Sequence, residues 1–296
     1  MRKFIKNGLV YDGSGNIPFM KNIVIENDKI IAITDSTDIR ADVEINAEGL
    51  VVTPGFIDIH RHCDIAALYD ENFGELELAQ GLTTVMGGNC GLAPVPTVDK
   101  SRQEVYDFIE PCLGIAPPEM KMEQFSDYIK ALGKTSIPIH MGSYMGTGAI
   151  KAAAKGFNKL PFTEKEMDIA QNYIVEGMLA GAFGISMGIM YQPECYSTKD
   201  EIVRMLSAAT PFQRPLTCHI RGEGNNLISS VKEIIEIAKM AEQPLNISHF
   251  KATGVKNWGK NIHQAIELVE ALEVTLMKLQ FLRAIQTPVI SFVICW

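Results

Sequence analysis

The sequence predicts an α/β protein in which a short all-β segment precedes a (β/α)8 TIM-like barrel. Two observations carry this. The first fifty residues contain apolar runs of strand length separated by turn signals, and no helix-period stretch. From Val51 onward the rhythm becomes strand, loop, helix, repeated. Alternating βα units imply a parallel sheet, and about seven units in one run fit a barrel better than an open doubly wound sheet. No Gly-x-Gly-x-x-Gly turn follows the first of these strands, which argues against a dinucleotide-binding fold.

In chain order, residues 4–11 form a loosely alternating strand that ends at Asp12-Gly13-Ser14-Gly15-Asn16, a dense turn signal. Residues 22–26 and 29–33 read as a hairpin across the two-residue turn Asn27-Asp28, and 43–47 as a further short strand. The barrel strands are expected at 55–60, 83–86, 137–144, 183–187, 216–220, 245–249 and 273–276. Helices are expected at 104–109, 122–132, 164–179, 199–209, 227–241 and 261–272. Thr163 and Glu166 have the spacing of an N-terminal capping box for the third of them. The domain boundaries follow: 1–52 as a small β segment, 53–272 as the barrel, and 273–296 as an apolar tail without Asp or Gly after Glu273.

The 296 residues are 47% hydrophobic and 21% charged, enough to bury a sizeable core. Lys plus Arg number 27 against 35 Asp plus Glu, a net charge of −8, which disfavours binding to nucleic acid or an anionic membrane. No apolar run approaches the ~18 residues of a membrane span. The N-terminus reaches Lys6-Asn7-Gly8 before a signal-type apolar core can form, so a cytoplasmic location is expected. The six cysteines show no paired spacing, and no disulfide framework is expected.

Candidate chemistry gathers at the predicted strand ends. His60 and His62 stand at i and i+2, on one face of a strand and about 6.6 Å apart along it, where two imidazoles can close on one metal ion. Cys90 follows the second strand in a Gly-rich turn; a thiolate is a good zinc ligand. His219 ends the fifth strand and His249 the sixth. Singly, the His60–His62 pair reads equally as solvated loop residues, and Cys90, His219 and His249 each read more readily as structural residues. Together they place four of the six histidines and a cysteine at C-terminal strand ends, which converge on the mouth of a barrel. His140 and His263 are read as structural or surface residues.

The segments P-G-F-I-D-I-H-R-H (54–62), G-N-C-G (88–91), H-I-R-G-E-G (219–224) and S-H-F-K-A-T-G (248–254) resemble the amidohydrolase superfamily. With G-I-S-M-G-I-M-Y-Q-P (184–193), Tyr196, Glu201 and Trp258-Gly259-Lys260, they resemble the D-aminoacylases, or N-acyl-D-amino-acid deacylases, over about 1–275. The resemblance implies a metal-dependent hydrolase barrel whose N-terminal β segment is half of a composite β-sandwich. It implies that Cys90, His219 and His249 hold a tight Zn²⁺, that His60 and His62 hold a weaker metal position, and that Lys251 and Tyr191 face the substrate carboxylate. The implied reaction is hydrolysis of an N-acyl-D-amino acid, a small-molecule substrate. Bound Zn²⁺ suits amide hydrolysis because it lowers the pKa of water from about 15.7 to about 7. Cyclic amidohydrolases such as hydantoinases and dihydroorotases are the rival enzyme class; many bridge two metals with a carboxylated lysine on the fourth strand, and 183–187 contains no lysine. A metal-binding pseudoenzyme is the third reading.

The resemblance fades near Val274. Family members continue with a seventh and an eighth unit, and an aspartate ending the eighth strand serves as metal ligand and general base. The last Asp here is Asp200, so the catalytic base has no match. An incomplete barrel with impaired activity is the expectation, with a frameshift or premature stop as its cause.

Overall fold

The structure is a computed structural model that describes residues 1–276 and 292–295, with side chains described through residue 271. In chain order it contains β1 (Arg2–Val10), β2 (Phe19–Glu26), β3 (Lys29–Thr34), β4 (Val43–Asn46), β5 (Val51–Pro54) and β6 (Phe56–Asp58). There follow α1 (Ala66–Tyr69), α2 (Glu75–Ala79), β7 (Leu82–Gly87), α3 (Arg102–Leu113), α4 (Phe125–Leu132), β8 (His140–Ser143), β9 (Met145–Gly146) and α5 (Thr147–Lys155). Then come α6 (Glu164–Leu179), β10 (Ile185–Gly188), α7 (Lys199–Leu206), β11 (Leu216–His219), α8 (Leu227–Met240), β12 (Leu245–Ile247), α9 (Asn261–Leu276) and β13 (Phe292–Cys295). The chain divides into two compact units: Met1–Asp58 and Glu75–Thr84 with β13, and Ile59–Gly74 with the chain from Val85 through α9.

In the first unit β1 pairs antiparallel with β2 and parallel with both β4 and β5. β2 and β3 form the expected hairpin, and Asn27 takes the left-handed conformation (φ 56°) that its tight turn requires. Ile5, Val10, Ile23, Ile25, Ala47 and Val52 form one buried apolar cluster of this unit. β13 pairs antiparallel with β5, Phe292 opposite Pro54.

In the second unit the end of β7 lies beside β8, with the Tyr144 N–H donating to the Gly87 carbonyl at 3.0 Å. After one intervening residue β9 begins, and a parallel sheet runs in the order β9, β10, β11, β12. Its register sets Gly188 opposite His219 and Cys218 opposite Ile247, so successive strand ends align. The helices pack their apolar faces on this sheet. Ile150 of α5, Met167 and Ile174 of α6, and Val231 and Ile234 of α8 are fully buried with Ile185, Met187 and Leu216. The Thr163–Glu166 capping box forms at α6, with the Thr163 N–H donating to Glu166 Oε2 at 2.8 Å.

Among the described residues the strands form no closed ring, as expected of an incomplete barrel. Three expectations are corrected. Residues 273–276 continue α9 and are not a strand; the rest of the apolar tail lies outside the described residues, apart from β13. The 137–144 strand is shorter and broken, and α5, which the sequence reading did not place, follows it directly. His60 lies past β6 in irregular backbone, because the strand ends at Asp58. Among the described residues no helix is long and apolar enough to cross a membrane, and the five cysteines whose side chains are described are free.

Candidate metal centre

The strand ends of the second unit deliver the candidate residues to one place. His219 is the last residue of β11; His249 comes two residues after β12; Cys90 comes three after β7. Cys90 and His249 both hold positive φ, 57° and 33°, a strained conformation for side chains other than glycine that concentrates at functional sites.

A buried hydrogen-bonded brace imposes this conformation on Cys90. Ser186, in the middle of β10, accepts the Gly91 N–H at 3.1 Å and donates its hydroxyl to the Gly88 carbonyl. One side chain thus ties both flanks of Cys90. Below it, the Thr147 hydroxyl faces two oxygens, the Ser186 carbonyl at 3.1 Å and Glu194 Oε1. A hydroxyl has one proton, so the set balances when Glu194 is protonated and donates to Thr147. Burial pushes Glu194 up to about 7, outweighing the Thr147 contact and the Gly188 N–H, which reaches Oε2 at 3.0 Å. Asn89 braces the other side. Its amide donates to the Met86 carbonyl at 2.8 Å and lies 3.4 Å from the carbonyls of Ile59 and Arg61, on either side of His60.

Cys90 Sγ is 3.4 Å from His60 Nε2 and 3.6 Å from His249 Nε2. The His60 and His249 rings are 5.3 Å apart between centroids, and His62 stands edge-on to His60 at 5.4 Å. His219 joins from the far side of His249, with centroids 4.2 Å apart. Two candidate ligand groups result, His60–Cys90–His249 and His219–Glu223–His249, the ligand atoms of each lying within 4.8 Å of one another. The expected trio of Cys90, His219 and His249 does not form one ligand group: Cys90 groups with His60 and His249, and His219 with Glu223 and the shared His249. His62 Nδ1 is buried without a hydrogen bond.

Burial, and then the neighbouring Glu194 carboxylate, push the Cys90 thiol up to about 12. Burial, and then His249, bring His219 down to about 4 and lower His62 as well. Neutral imidazoles are the form that binds a metal ion. The two substrate-facing candidates also reach the cluster. Tyr191 Oη lies 2.9 Å from His219 Nδ1, and Lys251 Nζ lies 2.6 Å from Glu223 Oε2 and 3.0 Å from His249 Nδ1. His140 and His263 are exposed and away from the cluster. Sequence reasoning gave no role to Glu223, Ser186, Glu194 or Asn89. Only Glu223 carried a signal, four residues beyond His219 in H-I-R-G-E-G.

No family model matches the chain. It is 29% identical to a D-aminoacylase of Alcaligenes xylosoxydans xylosoxydans over 267 residues, 90% of this chain and 54% of that protein. It is 30% identical to an N-acyl-D-glutamate deacylase of the same organism over 260 residues, 87% of this chain and 51% of the relative. A solved D-aminoacylase, described by its binuclear metal centre, superposes with a TM-score of 0.82 at 25% identity, covering 93% of this chain and 56% of the other. The chain thus spans about half the length of the relatives it matches. Over that length, sequence and backbone agree on one kinship: the chain belongs to the D-aminoacylase family of the amidohydrolases.

Proposed function

We propose that this chain carries the metal centre of a zinc-dependent hydrolase that cleaves the amide bond of N-acyl-D-amino acids. The carrying observation is the spacing around Cys90. A tetrahedral Zn²⁺, with bonds of about 2.3 Å to sulfur and about 2.0–2.1 Å to nitrogen, sets S and N about 3.6 Å apart. Cys90 Sγ stands 3.4 and 3.6 Å from two imidazole nitrogens, so the donor set fits such an ion without rebuilding the backbone. Thiolate with imidazole is also a donor set that suits zinc over calcium or magnesium. Cys90, His60 and His249 are the proposed ligands, with His62 at a second, weaker position and His219 beside the shared His249. Bound there, zinc would supply water activation and polarisation of the scissile carbonyl.

The remaining roles fall to this chain's own side chains. Lys251 offers a fixed positive charge to the substrate carboxylate, and Tyr191 an O–H beside His219. The names of the relatives supply the substrate class, an N-acyl-D-amino acid. Residues 53–272 are proposed as the hydrolase region and 1–52 as half of a β-sandwich. A cytoplasmic location is proposed from the scattered, unpaired cysteines.

Elemental analysis of the purified chain and of Cys90→Ala tests the metal reading. Zinc retained by the parent and lost from the variant is expected; equal zinc in both overturns it. Assay against N-acetyl-D-amino acids, their L-enantiomers and hydantoins tests the substrate reading. Preferential opening of a cyclic ureide would reject the deacylase assignment.

A further inference from the structure

Resting on the metal reading above, we propose that Glu223 is a positioning residue that fixes the ring proton of His249. It draws that proton to Nδ1 against competition from Lys251, and so keeps Nε2 open toward Cys90.

His249 Nδ1 has two neighbours with opposite demands. Glu223 Oε1, 2.5 Å away, is a carboxylate oxygen and accepts. Lys251 Nζ, 3.0 Å away, is an ammonium and only donates. Nδ1 can answer one of them. If it serves Glu223, it carries the proton, and Nε2, 3.6 Å from Cys90 Sγ, keeps its lone pair. If it accepts from Lys251, the proton moves to Nε2 and closes that nitrogen to a cation. The state of the ligand is decided at the far side of its ring.

Burial decides in favour of Glu223. Its side chain is 10% exposed, and Oε1 approaches the ring obliquely, with no in-line hydrogen bond. A buried carboxylate oxygen needs a donor. The nearest candidate is His249 Nδ1; His219 Nε2 is farther, at 3.8 Å. A small turn of the His249 ring completes the bond. Meanwhile Oε2 holds Lys251 Nζ at 2.6 Å, which occupies the ammonium with a carboxylate and diverts it from the imidazole. The same lysine explains why His219–Glu223–His249 is a poor second metal position despite its donor atoms. An ammonium already stands where the cation would bind.

The test compares the parent chain with Glu223→Ala, Glu223→Gln and Glu223→Ala/Lys251→Met, each checked for native circular dichroism. Zinc affinity is measured by competition with a chromophoric chelator, and the His249 tautomer by imidazole ¹⁵N shifts in the metal-free chain. Glu223→Ala should weaken zinc about 10–100-fold, the usual effect of removing a ligand's outer partner. It should also move the ring proton from Nδ1 to Nε2. Removing Lys251 as well should recover most of the affinity. Glu223→Gln should stay near the parent, since its carbonyl still accepts from Nδ1–H. If Gln weakens zinc as much as Ala, the carboxylate acts by charge alone and the proposal fails. A parent ring already protonated at Nε2, with normal zinc affinity, overturns the proposal and leaves the metal reading standing. A parent protonated at Nδ1 that binds no zinc overturns the metal reading and upholds the positioning.

Discussion

A methyl group at Gly91 would stand 1.9 Å from Glu194 Oε2 and 2.8 Å from the Gly188 nitrogen, and φ there is +71°. Both obstacles are buried in the brace beneath Cys90. Left-handed backbone alone costs an alanine roughly 1–2 kcal/mol, and the clash adds to it. Gly91→Ala should therefore lower stability by about 2 kcal/mol or more, read as a reduced urea midpoint. An unchanged midpoint would show that the loop yields and that the brace does not fix Cys90. At this scale the sequence was only partly legible. Cys90, His219 and His249 could be named because motif residues sit at predictable strand ends. Ser186 and Glu194 could not, because the hydrogen bond from Ser186 to Gly88 spans 98 positions and that between Glu194 and Thr147 spans 47. Nothing periodic marks such pairs. The run 55–60 reads as a strand that carries His60, whereas the strand stops at Asp58.

Helices and strands were read more faithfully where amphipathic period and end signals coincide. The Thr163–Glu166 box ends the uncertainty at the start of α6, and its span, Glu164–Leu179, matches the expected one. Thr163→Ala should cost about 1 kcal/mol, with thermal unfolding as the measure. Glu201, which entered only as part of a family pattern, turns out to cap α7 and to accept the Phe162 N–H at 2.8 Å, so its role is structural. A deeper change gives a larger effect. Ile234 of α8 is completely buried against the sheet, and Ile234→Ala should cost about 2–5 kcal/mol. A loss below that of the Thr163 cap would mean that α8 is not packed as described. α5 escaped the sequence reading because its run, Thr147–Lys155, opens on Thr-Gly directly after the broken β8–β9 strand. Tertiary packing, with Ile150 fully buried, makes it a helix.

For the whole molecule, buried carboxylates set a pH dependence of definite sign. Burial raises Glu194 from an ordinary 4.5 to about 7, and raises Asp64 from 3.8 to about 7. The native state therefore binds more protons than the unfolded chain in this window. Stability from these groups is fully present below their unfolded values, and is lost as pH rises through about 7. Each contributes a slope of up to about 1.4 kcal/mol per pH unit between those limits. Urea unfolding of Glu194→Gln across this range should show a shallower decline than the parent; an identical slope would mean that Glu194 is ionised in the native state. Cys90 Sγ and His249 Nε2 stand 3.6 Å apart in space and 159 residues apart in sequence. An ion held by both is a reversible cross-link closing a loop more than half the chain long, which only a chain with its strands already paired can make. With zinc as the proposed ion, free zinc is expected to raise the melting temperature by mass action, adding about 2.7 kcal/mol at a hundred times its dissociation constant, and chelation to lower it again.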